Sequence, residues 1–470
     1  MLPTLRNLRR LSNSVVYGRT GDIKDPKVSQ FLIGTDNGFL PRQEPLIKLP
    51  ERFGELEELL QNMPKIKKDG KAGLLATEGL LVPASEKVPV YNVSDISDSA
   101  TLTALFRDLT FWASAYLLEP CDFNFKKTKA YGLGRDKLPK NIAIPLVEVS
   151  KKIGAAPFME YAQSYALYNW KRKDLSKGLD FPNLELIRAF ENSPHESGFI
   201  LVHVAMVAHS GRLVSRVLDI FEAARTQSRV EFDKALDGLL AVMQDINQVM
   251  ETMWNRSSAA AYNSFRAYIM GTKNQPMFPR GVIYEGYSDE PQFFRGESGA
   301  NDSIIPTCDN LLQLTGMMPN NPLTEILMDF RKYRPVAHNQ WLTFVDSQAR
   351  GLKIADFAKS DANSAVKYLS AIDQVREFRD RHWRFTKEYI LKYSDHPVAT
   401  GGSPIITWLP NQLGTVLETM VKVSEGISKS DLTPEMNERF DELAERAATQ
   451  DRILKRELAE LKAKYPKDHQ

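Results

Sequence analysis

Apolar residues recurring at three and four, in segment after segment, constrain this chain more than any other feature. Ala100–Leu118 (ATLTALFRDLTFWASAYLL) is apolar over a broad face, as expected of a helix buried on most sides. The same 3.6-residue period predicts helices over Ala156–Trp170, Phe199–Thr226, Glu231–Trp254, Ala259–Met270, Pro322–Arg331 and Ser364–Lys392, and a helical fragment near Glu51–Gln61. Convincing apolar/polar alternation is scarce. The expected fold class is therefore all-α, a large helical domain with a smaller, mostly helical N-terminal domain. The boundaries read as a flexible basic terminus over 1–25, the small domain over 26–125, the large domain over 126–425 and an amphipathic C-terminal helix over 426–470.

That last helix has a clear start. Thr433-Pro434 offers an N-cap followed by proline at the first helical position. Met436, Phe440, Leu443, Ala447, Leu454, Leu458 and Leu461 then recur mostly at three and four. Such a stripe suits packing on the domain or pairing with a partner helix. Loops are expected over Gly271–Pro279, Tyr284–Pro306 and Ser394–Pro404. The third contains TGGS, a glycine-rich candidate for a mobile lid. It follows no strand and lacks the lysine of a phosphate-binding loop.

Composition removes several function classes. With 470 residues and 43% hydrophobic content, the chain can bury a large core, and its length suggests two or three domains of roughly 150 residues each. Its 61 basic and 59 acidic residues leave a net charge of +2, which gives no electrostatic basis for binding nucleic acid or an anionic membrane. The longest apolar run, around FILVHVAMVA, falls well short of the roughly 20 residues that span a bilayer. Cys121 and Cys308 form neither a CxxC pair nor a disulfide framework, so a reducing, cytoplasmic setting is the simplest expectation. The first 21 residues hold four arginines and no acid, which fits a mitochondrial leader or an ordinary basic terminus. The seven histidines, His195, His203, His209, His338, His382, His396 and His469, form no HExxH or HxH, so a zinc site is not expected. No GxSxG appears, and carboxylates are plentiful without any pair standing out.

Two histidines lie on strongly apolar helix faces. His203 follows Phe199 by four residues, and His382 shares a face with Phe378 and Phe385 in FRDRHWRFTKEYI. A lone histidine in such a place is more often a satisfied core or interface residue. Arginines crowd His382, however, and Arg379 stands one turn before it. A cation does not normally point into a core without a partner. A cofactor with one metal centre and anionic groups at its edge would use this mixture, and haem fits, since its iron takes an axial imidazole and its propionates take arginine.

The chain resembles the indoleamine 2,3-dioxygenase family. The matching stretches are LPKNIAIPLVEVSKKIG (138–154), YAQSYALYNWKRKD (161–174), SGFILV (197–202), FRAYIMG (265–271), GVIYEGYSDEPQFFRGESG (281–299), MDFRKYRPVAHNQWL (328–342), FRDRHWRFTKEYI (378–390) and TGGS (400–403). They occur in the family's order and together span about residues 125–425. The resemblance implies a haem b enzyme that inserts both atoms of O2 across the indole 2,3 double bond of L-tryptophan, giving N-formylkynurenine, with an electron donor to keep the iron ferrous. A monomer or weak homo-oligomer is expected, and the charge balance and apolar run lengths above leave no expectation of nucleic acid or of a membrane span.

Roles follow residue by residue from that resemblance. His382 corresponds to the proximal haem ligand and Arg379 to the arginine that meets a propionate. Asp309 corresponds to the carboxylate paired with that arginine. Arg266 matches the arginine that binds the substrate carboxylate, and Thr400 and Gly401 the loop that closes over the amino acid. Tyr161, Ser164, Phe199, Tyr262, Ser298 and Gly299 match the lining of the distal pocket. Two positions depart from the family. His203 stands where vertebrate members carry a small hydroxyl residue, so it is a candidate to hydrogen-bond the indole N–H or bound oxygen, or to ligate iron. Ala261 replaces a phenylalanine that often contacts the indole, which is expected to enlarge the pocket. These departures keep two alternatives open: a relative acting on another indole, and a catalytically weak haem-binding sensor or signalling protein.

Overall fold

The computed structural model describes residues 15–314, 326, 329–393 and 398–464. Most of the basic N-terminus, most of the predicted Pro322–Arg331 helix and the start of the Ser394–Pro404 loop lie outside these residues. Helix dominates what is described, and the longest strand, Ser288–Gln292, has five residues. The all-α expectation holds.

The helix Ser99–Thr128 runs through the core. The Asp98 carboxylate caps its start by accepting from the Thr101 N–H at 2.7 Å, and Lys129 closes it in the left-handed region. Apolar residues surround this helix, which is why both of its faces are buried. Pro120 sits inside it and cannot donate to the Tyr116 carbonyl. Arg135 donates to that carbonyl instead, and its backbone N–H reaches Leu117 O at 2.9 Å. The missing bond is thus replaced from outside the helix.

The same helix carries a buried charge network. Arg107 meets Asp108 at 2.7 Å, Arg188 meets Asp108 at 2.8 Å, and Arg188 also meets Glu57 at 2.6 Å. Burial alone would raise the Asp108 pKa, but the two guanidiniums more than offset it and hold the carboxyl below its ordinary value. This network joins the helix Gly54–Asn62 and the segment around Arg188 to the core.

Several predicted helices are reshaped. Phe199–Thr226 is two helices, Pro194–Val207 and Ser210–Arg225. Ser210 Oγ donates to Val207 O at 2.6 Å and accepts from the Phe39 N–H at 2.9 Å, which fixes the break. The stretch Pro194–Arg225 has the length and hydropathy to cross a membrane, yet 72% of its apolar window is buried inside the protein. Ala156–Trp170 is not a helix. It holds one π turn, Tyr161–Tyr165, and then a strand, Trp170–Arg172, antiparallel to Leu184–Leu186. Local side-chain bonds compete with helix here: Ser164 Oγ accepts from the Glu160 N–H at 2.9 Å and donates to Glu160 O at 2.8 Å, while Asn169 donates to Tyr165 O and Arg188 O. The expected loop Tyr284–Pro306 contains a hairpin between Val282–Tyr284 and Ser288–Gln292, turned at Gly286, and the start of the helix Ile304–Leu311.

The helix Ala362–Thr386 continues into a π turn, Lys387–Leu391. The C-terminal helix, Pro434–Lys464, packs along it and along Ile405–Glu425. Trp383, Ile405, Leu413, Leu417 and Leu454 form their shared apolar cluster. Trp383 Nε1 donates to Glu457 at 2.9 Å, Lys387 meets the same carboxylate at 2.7 Å, and Arg446 meets Asp373 at 2.6 Å. The amphipathic stripe read from the sequence is therefore satisfied within the chain.

Asp108→Asn leaves two buried guanidiniums short of their shared carboxylate. The expected loss is about 3–5 kcal/mol of stability, read as a lower urea midpoint than that of the wild-type protein.

Candidate active site

One cavity gathers most of the candidate residues. Phe199 and His203 reach it from the helix Pro194–Val207, and Tyr262 from Ala259–Arg266. His382, Phe385 and Thr386 come from Ala362–Thr386, and Tyr389 and Ile390 from the π turn that follows. Glu297, Ser298, Gly299 and Ala300 form one rim. Ala399, Thr400 and Ser403 form another, and Ile405, Trp408 and Leu409 complete the wall. The space is about 850 Å³ with its mouth included. A separate surface cleft beside Arg135 and Phe278 holds no histidine.

The two imidazoles are the chemical signature of this cavity. Burial pushes His382 down to about 4, and the nearby Arg379 charge adds to the effect. Burial likewise lowers His203 to about 4, with His382 contributing. Both are neutral at pH 7, the form in which a ring nitrogen can ligate a metal. The Tyr161 hydroxyl lies 3.3 Å from His203 Nδ1, and Phe199 and Tyr161 flank the ring edge-on. Trp408 Nε1 is buried at the cavity wall with no hydrogen-bond partner among the described residues.

The arginines around His382 prove individually partnered. Arg379 meets Asp309 at 2.7 Å and donates to Gln412 O at 3.1 Å. Arg381 pairs with Glu251 and with Glu377, and donates to Asn247. Arg376 is held by Asp373 at 2.6 Å, and Arg384 by Asp380 at 3.2 Å. Only Arg379 points toward the Asp309 side, where one carboxylate oxygen has no partner among the described residues. The pairing of Arg379 with Asp309 is thus present in the folded chain.

Other candidates stand apart from the lining. Ser164 is fully buried and spends its hydroxyl on Glu160, so it shapes the π turn. Tyr161 touches the cavity through His203. Arg266 is fully buried behind Tyr262, donating to Tyr131 Oη at 3.3 Å and Val398 O at 3.1 Å, with its Nε unpartnered among the described residues. Ala261 does not line the cavity, although its neighbour Tyr262 does.

Two residues missed by sequence reasoning organise the rims. Arg295 meets Asp329 at 2.8 Å and donates to Gly401 O at 2.8 Å, with its guanidinium over the Phe330 ring. It ties the TGGS segment to the Glu297 rim. The Gly271 N–H adds a bond to Thr400 O at 3.0 Å, and Gln275 donates to Ala399 O at 2.7 Å. Gly401 must be glycine, because a Cβ there would lie 2.6 Å from the Phe330 ring. Glu297 faces the cavity as a buried carboxyl. Both lie in the FRGESG block, but neither periodicity nor spacing marks them.

The fold presents one neutral imidazole from each of two helices to a single, largely apolar cavity. The family model of indoleamine 2,3-dioxygenase matches residues 27–429, and the chain belongs to that family. It is a family of haem-dependent dioxygenases that act on indoles. Indoleamine 2,3-dioxygenase 1 of Rattus norvegicus is 25% identical over 371 residues, covering 78% of this chain and 85% of the relative. The indoleamine 2,3-dioxygenase of Saccharomyces cerevisiae is 25% identical over 386 residues, 78% of this chain and 80% of the relative. Indoleamine 2,3-dioxygenase qulI of Penicillium citrinum is 25% identical over 429 residues, 86% of this chain and 91% of the relative.

Arg295→Met removes the tie between Gly401 O and Asp329 while keeping the side chain's bulk. Hydrogen exchange of the Thr400–Ser403 amides is expected to accelerate at least tenfold, because local opening then costs at least one charge-assisted bond less.

Proposed function

We propose that this protein cleaves the indole 2,3 bond of L-tryptophan with O2 to give N-formylkynurenine, the first step of the kynurenine pathway. The observation that carries this reading is the pair of neutral imidazoles, His203 and His382, facing one cavity in a chain that matches the family over most of its length. The donor set fits haem: a neutral ring nitrogen, an apolar wall for the macrocycle, a Trp408 N–H without a partner among the described residues and a guanidinium nearby. His382 would hold the iron, and Arg379, oriented by Asp309, would meet an acidic substituent. Bound haem supplies the activation of O2.

The chain's own residues bind, orient and exclude water. Phe199 and Tyr262, with ring centres 5.0 Å apart, offer an aromatic face for the indole. Tyr161 holds the ring of His203, which is placed to accept from an indole N–H once its other nitrogen carries the proton. Arg266 is a buried cation that donates to neutral oxygens, which suits it to a carboxylate. Its Nε–H has no partner among the described residues, and its bond to Val398 O ties it to the segment that carries Thr400 and Gly401. Thr400 and Gly401 on that segment then close the cavity against water.

His382→Ala is expected to lose haem and activity together, measured as the loss of the haem absorption band after hemin is added. A variant that keeps its full haem complement, or a wild-type protein that stays colourless with hemin, overturns the assignment. Arg266→Ala is expected to raise KM for L-tryptophan at least tenfold, with a smaller effect on kcat, because a charge-assisted pair is worth about 1.5–3 kcal/mol. Formylkynurenine accumulation under reducing conditions separates an active dioxygenase from a haem-binding sensor, which would load haem without turnover.

A further inference from the structure

Two ionisable side chains at or behind the cavity wall meet no opposite charge among the described residues. One is Arg266. The other is Glu297, which is only 4% exposed, lines the cavity and receives no hydrogen bond or cation among the described residues. The surrounding cations are committed elsewhere. Lys273, Arg295 and Lys332 all converge on Asp329, at 2.7, 2.8 and 3.2 Å. Arg379 is committed to Asp309. Arg266 and Glu297 form no ion pair with each other, yet the Tyr262 phenol is within electrostatic reach of both.

Glu297 is also rigidly presented. Arg295, two residues before it, is anchored to Asp329 and Gly401 O. Gly296 is packed so closely on Gly271 that a Cβ would lie 2.1–2.2 Å from its neighbour's backbone nitrogen. Ser298 Oγ then accepts from the Ala300 N–H, starting the turn Gly299–Asn301. The backbone on both sides of Glu297 is therefore held in place, with the carboxyl at the cavity wall. A buried carboxyl held without a partner is costly, and it is relieved by a ligand that brings a cation.

Building on the function proposed above, we infer that Glu297 receives the α-ammonium group of the indole substrate, opposite the guanidinium of Arg266 that takes its carboxylate. Glu297 is then a specificity-determining residue. It selects indoles bearing a cationic amine over indoles that lack one. The two uncompensated groups together match a zwitterion, which a purely aromatic pocket could not distinguish from plain indole. In the free protein, burial pushes the Glu297 carboxyl up to about 8. Its titratable neighbours are Tyr161, Tyr165 and Tyr262, all raised by burial, and across the cavity the neutral His203 and His382. None of these neighbours is a cation at pH 7. An arriving ammonium favours the carboxylate, so binding at pH 7 is coupled to release of the Glu297 proton.

The test is an optical binding titration of the haem-loaded protein with L-tryptophan, tryptamine and indole-3-propionate, which differ in carrying both charges, the amine alone and the carboxylate alone. Glu297→Gln keeps the shape of the neutral acid, and its haem spectrum reports whether it is intact. The expected result is a ten- to hundredfold weaker binding of L-tryptophan and tryptamine, the worth of a charge-assisted hydrogen bond, with indole-3-propionate within about twofold of wild type. A second measurement needs no variant. Calorimetric titration of the wild-type protein in two buffers of different ionisation enthalpy is expected to show net proton release when an amine binds at pH 7, and no such release for indole-3-propionate. Equal weakening of all three ligands, weakening of indole-3-propionate alone, or amine binding without proton release overturns the role of Glu297 and leaves the dioxygenase reading standing. A wild-type protein whose haem spectrum responds to none of the three overturns both.

Discussion

The helix Ala362–Thr386 must hold an imidazole toward a cavity, and every other feature of the site is arranged around that demand. A side chain facing an internal space gains no packing from it, so the helix has to be fixed by its other faces. Here the fixing is ionic and apolar at once. Asp373 is gripped by Arg376 and Arg446, Arg379 by Asp309, and Arg381 by Glu251 and Glu377. Trp383, next to His382, is buried against the C-terminal helix. Geometry rather than net charge distinguishes these pairs. Those formed with Asp309, Glu251 and Arg446 join the helix to three different neighbours, so together they fix both its depth and its rotation.

Against that background the unpaired groups carry information. A chain that supplies a carboxylate to nearly every arginine near His382 leaves Arg266 with neutral acceptors and Glu297 with none among the described residues. A buried ionisable group without an opposite charge is disfavoured in its charged form until a ligand completes it. On the function proposed here, the distinction between a structural and a functional ionisable group lies in who provides the opposite charge, the protein or its substrate.

Much of this is legible in the sequence, unevenly so. The 3.6-residue period locates the long helices, because burial on one or more faces imposes it directly. It fails at Ala156–Trp170, where Ser164 and Asn169 satisfy the backbone locally and leave an apolar stretch without a helix. Period alone also cannot separate His382 from His338. Both are histidines on helices, but His338 is buried, bonds to Ser303 at 3.0 Å and packs between Phe31 and Phe39. His382 lines the cavity instead. Both lie in stretches that resemble the family, and what separates them in the sequence is the crowd of arginines around His382 and the proximal-ligand role that the resemblance implies for it. Glu297 is invisible there because, in a chain with 59 acidic residues, a carboxylate becomes conspicuous only when its surroundings are known to be dry.

The C-terminal helix lies beyond the family match, which ends at residue 429, yet it reaches back to the residue beside His382 through Glu457. Its two anchors, Arg446 on Asp373 and Glu457 on Trp383 and Lys387, are spaced about three turns apart along the bundle. A cut in the short linker at 426–433 would therefore do more than trim a tail. It would uncover Leu413, Leu417 and the indole of Trp383 in one strip, turning an interior seam into adhesive surface and loosening the pillar that carries the imidazole of His382.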